Sequence, residues 1–323
     1  METATYSTPT VDALTNRGHA MMVDEQKQLQ FDKDGFISIP QYYAINVVDS
    51  LRERLEHVLR GQYDRAKPPD KTPKIIKDTI MYKGPLGFTG NLHHVKVLQV
   101  INVHKCDSLF RTIATDPALG KLVATLAGWK HGVRLAQDQV WAKPPGASAL
   151  VFHRDSPYFM FNPPDIVTVW LALDDMDEEL GPLEYVKGSH KWGDGRVGTS
   201  NQFFGTNGKA LLKSAAEREG IVDLDFVSMA GLRAGGISIH HGRTWHGSGP
   251  NTSKTRPRRG LGLHFCPGEV TFTAEATKSK LWRRHVEGVT DVVLVELSDD
   301  DFPVTWHPSD DIQDIETNKL TLS

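Results

Sequence analysis

Two short stretches carry the residue types of a metal centre. His153-Arg154-Asp155 sets an imidazole and a carboxylate two residues apart, and His246 opens a later run, His246-Gly247-Ser248-Gly249-Pro250-Asn251. Two imidazoles and one carboxylate on one face of an ion leave its other positions open. That ligand set suits a mononuclear Fe(II) that must also accept a co-substrate and oxygen. On a strand, residues i and i+2 point the same way, so an extended chain would let His153 and Asp155 serve one ion. His-x-Asp alone is a weak signal in a chain with 14 histidines. His240, His241 and His264 compete with His246 for the third position, and each also suits a core histidine. Arg256, Arg258 and Arg259 follow as a cluster. A guanidinium fork grips a carboxylate through two hydrogen bonds, as an organic-acid co-substrate chelating the metal by its other end would need. A solvated basic turn is the plainer account of the same cluster. Ser248 offers a further hydrogen bond to such an acid.

These residues need a scaffold of short strands. Val133 to Lys143 alternates like a half-buried strand and turns at Pro144-Pro145-Gly146. Leu150 to Phe152, Ile166 to Leu173, Leu183 to Val186, Gly236 to His240 and Gly260 to Phe265 read as further strands between Gly-, Pro- and Asp-rich turns. Many short strands with turn punctuation predict an antiparallel sandwich or jelly roll, with the core over 133–266. Upstream, Asp34 to Pro40 reads as a turn and strand. Val47, Val48, Leu51, Leu55, Val58 and Leu59 mark a helix with one buried stripe from about Asn46 to Gly61. Residues 97–129 read as helical, ending at Gly128. Residues 1–25 are a polar, loose arm, and Lys67 to Pro85 is an exposed loop over a site mouth or a solvated one. Residues 201–220 form an insertion with a helical end, Lys209 to Glu219, and an insertion of that length in a barrel suggests a lid. Residues 269–323 add polar and helical material with an acidic run, Ser298 to Asp301. Without repeats or a linker, 1–323 reads as a single domain.

Bulk properties narrow the function classes. The chain has 323 residues, 39% of them hydrophobic and 24% charged, with a net charge of −3. Nothing here attracts nucleic acid or an anionic membrane surface. No apolar run reaches the roughly 18 to 20 residues of a spanning helix. Neither a secretory leader at Met1 nor a disulfide framework from Cys106 and Cys266 is read, which points to the cytoplasm.

Taken in order, the motifs resemble the phytanoyl-CoA dioxygenase (PhyH-like) family of Fe(II)/2-oxoglutarate-dependent oxygenases. Gln137-Asp138-Gln139-Val140-Trp141-Ala142-Lys143-Pro144-Pro145-Gly146 resembles the strand before the metal motif, and His153-Arg154-Asp155 stands at its His-x-Asp position. Val169 to Asp175, Gly181 to His190, His246 to Asn251 and Pro257-Arg258-Arg259 follow in the family's sequence. The likeness covers roughly residues 30–270, and the motifs are specific as a set. It implies a double-stranded β-helix (jelly-roll, cupin-like) core with flanking helices. It implies iron ligands His153, Asp155 and His246, with Arg258, the Arg after Pro257, as the 2-oxoglutarate anchor. Trp170 would pack beside that co-substrate and Gln137 would hydrogen-bond near it. His190 would be structural. Leu183-Glu184 departs from relatives that carry a co-substrate-contacting Thr there.

The resemblance also implies a reaction. With Fe(II), 2-oxoglutarate and O2, such a protein oxidises a C–H bond of a small organic or natural-product molecule and releases succinate and CO2. Asp155 favours hydroxylation over halogenation, because related halogenases lack this carboxylate. The same cofactors also support desaturation, epimerisation or ring formation, and a jelly roll that binds metal without turnover is a rival of another class. Tyr158, Phe159 and Phe161 either line an apolar pocket or fill the core. Fold and metal site are shared across substrates, so neither names the substrate, and the oligomeric state is not legible.

Overall fold

The computed structural model describes residues 25–72, 97–193 and 209–311, with short strand segments at 82–83 and 87–88. Leaving that short pair unlabelled, the strands are β1 (Phe36–Ile39), β2 (Leu98–Ile101), β3 (Val133–Lys143), β4 (Leu150–His153), β5 (Phe161–Asn162), β6 (Val167–Ala172), β7 (Leu183–Val186), β8 (Phe226–Ser228), β9 (Ile237–His241), β10 (His246–Ser248), β11 (Arg258–Pro267), β12 (Thr271–Phe272) and β13 (Val304–Trp306). The principal helices are α1 (Glu25–Asp34), α2 (Ile45–Leu59), α3 (Ser108–Ala114), α4 (Pro117–Ala127), α5 (Ala210–Arg218) and α6 (Arg283–Val286). The larger sheet has seven strands in the order β1-β9-β6-β11-β3-β13, with β2 also on β3. A four-stranded sheet, β8-β7-β10-β4, faces it. All labelled pairings are antiparallel, and the two sheets form a jelly roll.

Period-two alternation divides the large sheet into two environments. Val167, Val169 and Leu171 of β6, Ile237 and Ile239 of β9, and Leu261, Leu263 and Phe265 of β11 join the helix-side core. Their neighbours Thr168, Trp170, His240, Arg258 and His264 face the pocket between the sheets. The reading of β3 as half-buried is therefore corrected. Most of its residues are buried, because helices cover one face and the second sheet covers the other. The stripe on α2 behaves as read: Val47, Val48, Leu51, Leu55, Val58 and Leu59 are all buried, each worth about 1.5–3 kcal/mol of hydrophobic stabilisation as an upper figure.

The long helix expected over 97–129 is a strand, a short 3-10 turn at Val103–Lys105 and two helices. Leu98–Ile101 pairs with Gln139–Ala142 as a strand, since its β-branched residues fit a sheet. Asp107 then accepts from the backbone N–H groups of Leu109 and Phe110 and starts α3. Asp116, followed by Pro117 at the first turn, starts α4 anew. Gly128 ends α4 in the left-handed conformation, φ 72°.

Of the proposed lid, 201–208 lies outside the described residues. Helix α5 beyond it sits on the small sheet, where Leu212, Ala215 and Ala216 pack with Phe152, Val186 and Trp245. That is the face opposite the pocket. The described part of the Lys67–Pro85 loop reaches the pocket through Lys71. The arm over 1–24 also lies outside the described residues. The C-terminal stretch does more than decorate. Lys67 meets Asp300 at 2.6 Å, Arg134 meets Asp299 at 2.7 Å, and Lys105 meets Asp301. The acidic run thereby straps the segment before β13 to the frame. No described helix is long and apolar enough to cross a membrane.

Candidate metal centre and co-substrate pocket

His153 ends β4 and His246 opens β10, and the two are direct partners across the ladder. Asp155 is not on the strand, as the i/i+2 reading required. It lies just past β4 with helical dihedrals, φ −81° and ψ −44°, at the head of a short turn. Its backbone N–H and that of Ser156 both donate to Gly242 O at 2.8 Å. Gly242 permits this approach, because a Cβ there would lie 2.5 Å from Ser156 Oγ and 2.7 Å from Ile166 Cβ.

The three side chains offer ligand atoms within 4.8 Å of one another. His153 Nδ1 donates to Val151 O at 2.8 Å, and His246 Nδ1 donates to Thr244 O at 2.9 Å. Both rings therefore turn a bare Nε2 inward, the arrangement that orients metal-binding histidines. Each Nε2 lies 3.6 Å from Asp155 Oδ1. The other carboxylate oxygen is already engaged. Thr168 Oγ1 donates to Asp155 Oδ2 at 2.7 Å, and His240 Nε2 donates to it at 3.0 Å. Oδ1 is thus the ligand-ready oxygen. Burial alone would raise the Asp155 carboxyl, but His246, His264 and the His240 hydrogen bond hold it well below the usual range. Burial, then His246, pulls His153 down to about 3, which keeps the imidazole neutral. An anionic oxygen and two inward imidazole Nε2 atoms fit a divalent Fe.

The competing histidines have other work. His240 accepts from Tyr185 Oη at 3.1 Å through Nδ1 while Nε2 holds Asp155. His264 Nδ1 lies 2.9 Å from Thr168 Oγ1, so it donates there while the Thr168 proton serves Asp155. Its Nε2 then accepts from Gln139 Nε2 at 3.3 Å. His241 lies tilted against the Phe31 and His190 rings and is not on the pocket lining.

The arginines separate cleanly. Arg256 is exposed and paired with Asp177 and Glu179, and Arg259 is forked onto Asp174. Arg258 is 1% exposed and lines the same pocket as the ligands. Among the described residues, its Nε and Nη2, one edge of the fork, are buried without a partner. Burial lowers it to about 10, so it remains a cation at neutral pH. A buried cation with an unpaired two-donor edge fits a carboxylate. Trp170 lies beneath it, 5.0 Å from guanidinium carbon to ring centroid. The indole crosses bare backbone at Gly260, where a Cβ would lie 2.7 Å from Trp170 Nε1.

Ser248 stands one layer behind the pocket lining. Its Oγ accepts from Lys143 Nζ at 2.6 Å, and Lys143 also donates to Gly249 O at 2.5 Å. Burial, then Arg258, pushes Lys143 down to about 6. A neutral amine has two N–H groups, and both are used. The sequence reading missed Lys143; its one signal is a charge at the end of an otherwise buried strand. Gln137 lines the pocket and accepts from Gln139 at 2.5 Å. Tyr158 and Phe159 line the pocket, whereas Phe161 fills a satellite core with Phe272, Trp282 and Phe302. Arg154 is buried over the Trp245 ring, on the far side of β4 from the ligands. His190 bonds Asp32 O at 3.1 Å, in keeping with a structural part.

The cavity measures about 650 Å³, within the usual size of small-molecule sites. Gln99, Lys278, Lys280, Leu281 and Trp282, which no motif flagged, also line it, with Lys71 from the loop read as lying over a site mouth.

Comparison with known proteins agrees with the geometry. Residues 31–260 match the family described as phytanoyl-CoA dioxygenase (PhyH). A probable alpha-ketoglutarate-dependent hypophosphite dioxygenase of Stutzerimonas stutzeri is 25% identical over 238 residues, 73% of this chain and 76% of that protein. A phytanoyl-CoA dioxygenase of Arabidopsis thaliana is 24% identical over 253 residues, 72% and 85% of the two chains. Among solved structures, the alpha-ketoglutarate-dependent carbocyclase SnoK superposes with a TM-score of 0.64 at 20% identity, over 88% of this chain and 97% of that one. The epimerase SnoN, in complex with Fe3+, alpha-ketoglutarate and nogalamycin RO, gives 0.62 at 20% identity, over 87% and 98%. The chain belongs to the phytanoyl-CoA dioxygenase family, and with it to the oxygenases that depend on iron and 2-oxoglutarate.

Proposed function

We propose that the protein is a single-domain dioxygenase that hydroxylates a C–H bond of a small organic molecule, with His153, Asp155 Oδ1 and His246 holding Fe(II). When bound, the iron supplies the oxygen chemistry, with 2-oxoglutarate leaving as succinate and CO2. Arg258 would take the far carboxylate of 2-oxoglutarate along its Nε–Nη2 edge, steadied by Trp170. Lys143 holds Ser248 and the Gly249 carbonyl behind that anchor. Thr168 and His240 keep Asp155 oriented with Oδ1 inward. Tyr158 and Phe159 exclude water from the substrate side. The observation that carries this reading is the buried, unpartnered edge of Arg258 in one cavity with three inward ligand atoms. Two free, buried cysteines support a reducing compartment such as the cytoplasm.

The test is succinate release from 2-oxoglutarate with Fe(II) and oxygen. Arg258→Ala is expected to raise the half-saturating 2-oxoglutarate concentration by about a hundredfold, the scale of a lost buried charge pair. Arg256→Ala should leave it within about twofold, since exposed pairs contribute little. Loss with Arg256→Ala and not with Arg258→Ala would overturn the anchor. No succinate from the wild-type protein across a substrate panel would overturn the function. With an accepted substrate, a product heavier by one oxygen separates hydroxylation from desaturation, epimerisation or ring closure.

A further inference from the structure

The pocket opens between two unlike walls. One is apolar, with Tyr158, Phe159, Leu281 and Trp282. The other is a directed chain of donors that starts at a lysine. Lys71 Nζ donates to Gln99 Oε1 at 2.7 Å, and Gln99 Nε2 donates to Gln139 Oε1 at 2.6 Å. Gln139 passes its own protons to Gln137 and His264. Because Lys71 fixes which end of each amide faces which, the wall presents a set polarity.

Lys71 is joined on the lining by Lys278 and Lys280. Their surroundings differ from those of nearby cations. Lys67, Lys105, Arg134 and Arg284 each end on an aspartate. Among the described residues, none of the three pocket lysines has a carboxylate within ion-pair range, and Glu275, three residues before Lys278, is the one acid beside them on the lining besides Asp155. Lys71 is exposed near the end of its described segment, yet partial desolvation lowers its pKa, with no acid to offset it. Its one amide partner leaves donor capacity unused. Three cations on the lining of one apolar cavity, facing a single nearby acid in Glu275, are matched by a ligand that brings further negative charge.

We infer that the substrate is an amphipathic organic acid: its apolar body lies along Tyr158, Phe159, Leu281 and Trp282, and its carboxylate or phosphate monoester is held by Lys71, Lys278 and Lys280. This deepens the oxygenase reading and rests on it for the word substrate; the anion site stands on its own residues. It also orients the molecule. With the acid at the mouth, the inner end of the apolar body is the part brought toward His153 and His246.

The test uses two fluorescent naphthalenes of similar size. 8-Anilinonaphthalene-1-sulfonate carries an anion, and N-phenyl-1-naphthylamine does not. The triple variant Lys71→Met, Lys278→Met, Lys280→Met is expected to bind the sulfonate about tenfold or more weakly, the scale of losing charge-assisted hydrogen bonds. The neutral probe should bind within about twofold of wild type, which also shows that the apolar wall is intact, since Met covers what a lysine stem covers. In the unaltered protein, decanoate or decyl phosphate should displace the sulfonate and decanol should not; the stronger of the two acids names the head group. Equal binding of both probes to variant and wild type, or displacement by decanol as effective as by the acids, overturns the inference. Succinate formation is a separate readout. If it fails while the probe pattern holds, the oxygenase reading falls and the anion site stands; the converse leaves the oxygenase and removes the acid.

Discussion

Gly260→Ala tests the joint between the anchor and the sheet. The new methyl would lie 2.7 Å from Trp170 Nε1 and nearer still to two ring carbons, whereas ordinary contact starts at 3.4 Å, so the indole must retreat by at least the 0.7 Å difference. Trp170 has little room, since it is 4% exposed and packed among Leu183, Tyr185 and Met176. Overfilling a packed core costs about 1–3 kcal/mol. Moving the ring also removes the face beneath Arg258, a desolvated cation–π contact worth up to about 2 kcal/mol. We expect urea unfolding to report a loss of about 2 kcal/mol, and calorimetry with Mn(II) in place of iron to report about tenfold weaker 2-oxoglutarate binding. The mechanism is checked by a cycle with Trp170→Leu, which removes every indole atom the methyl meets. There Gly260→Ala should cost less than about 0.5 kcal/mol, a coupling well above the additive limit. Equal costs in both backgrounds would refute the steric account. Unchanged co-substrate affinity in Gly260→Ala would refute the link from Trp170 to Arg258.

Two further expectations concern the layer behind the site. Lys143 falls from 10.5 to about 6 on folding, so between those values the unfolded chain holds a proton that the folded chain has released. Stability therefore rises with pH across that window, by at most about 1.4 kcal/mol per pH unit. Lys143→Met should flatten the rise measured by urea unfolding between pH 7 and 9, and an unchanged slope would show that Lys143 is not its source. Thr168→Val removes the donor to Asp155 Oδ2 and the partner of His264. Mn(II) affinity should drop about 10- to 100-fold by titration calorimetry, the usual effect of losing a group that orients a ligand; an unaltered affinity would leave His240 as the sole orienter.

The site was legible where chemistry is local and opaque where it is not. The His153-x-Asp155 pair is a local motif, whereas His246 is picked out from His240, His241 and His264 only by the order of motifs the family shares. The route by which Asp155 joins the histidines was misread, because strand periodicity says nothing about a turn that leaves the strand one residue earlier. Residues alone did not separate Arg258 from Arg256 and Arg259. All three have the same side chain, and only the carboxylates supplied by Asp174, Asp177 and Glu179 from distant chain decide which guanidinium stays unpaired. Val97 to Ile101 was read as helix because a short apolar run has no period of its own; its pairing with β3 settles it. Lys71 is far in sequence from Lys278 and Lys280, and all three look like any solvated lysine until the fold sets them on one pocket.

The acidic strap has a consequence for how this protein can diverge. The chain that matches the family ends at residue 260, yet Lys278, Lys280, Leu281 and Trp282 on the pocket come from beyond it. That later segment is fastened through Asp299, Asp300 and Asp301 to Arg134, Lys67 and Lys105, and not directly to His153, Asp155 or His246. Changes at Lys278, Lys280 or Leu281 therefore alter one wall of the cavity without touching His153, Asp155, His246 or Arg258, whereas a change at Trp282 reaches the turn that Asp155 heads, through its bond to Tyr158 O.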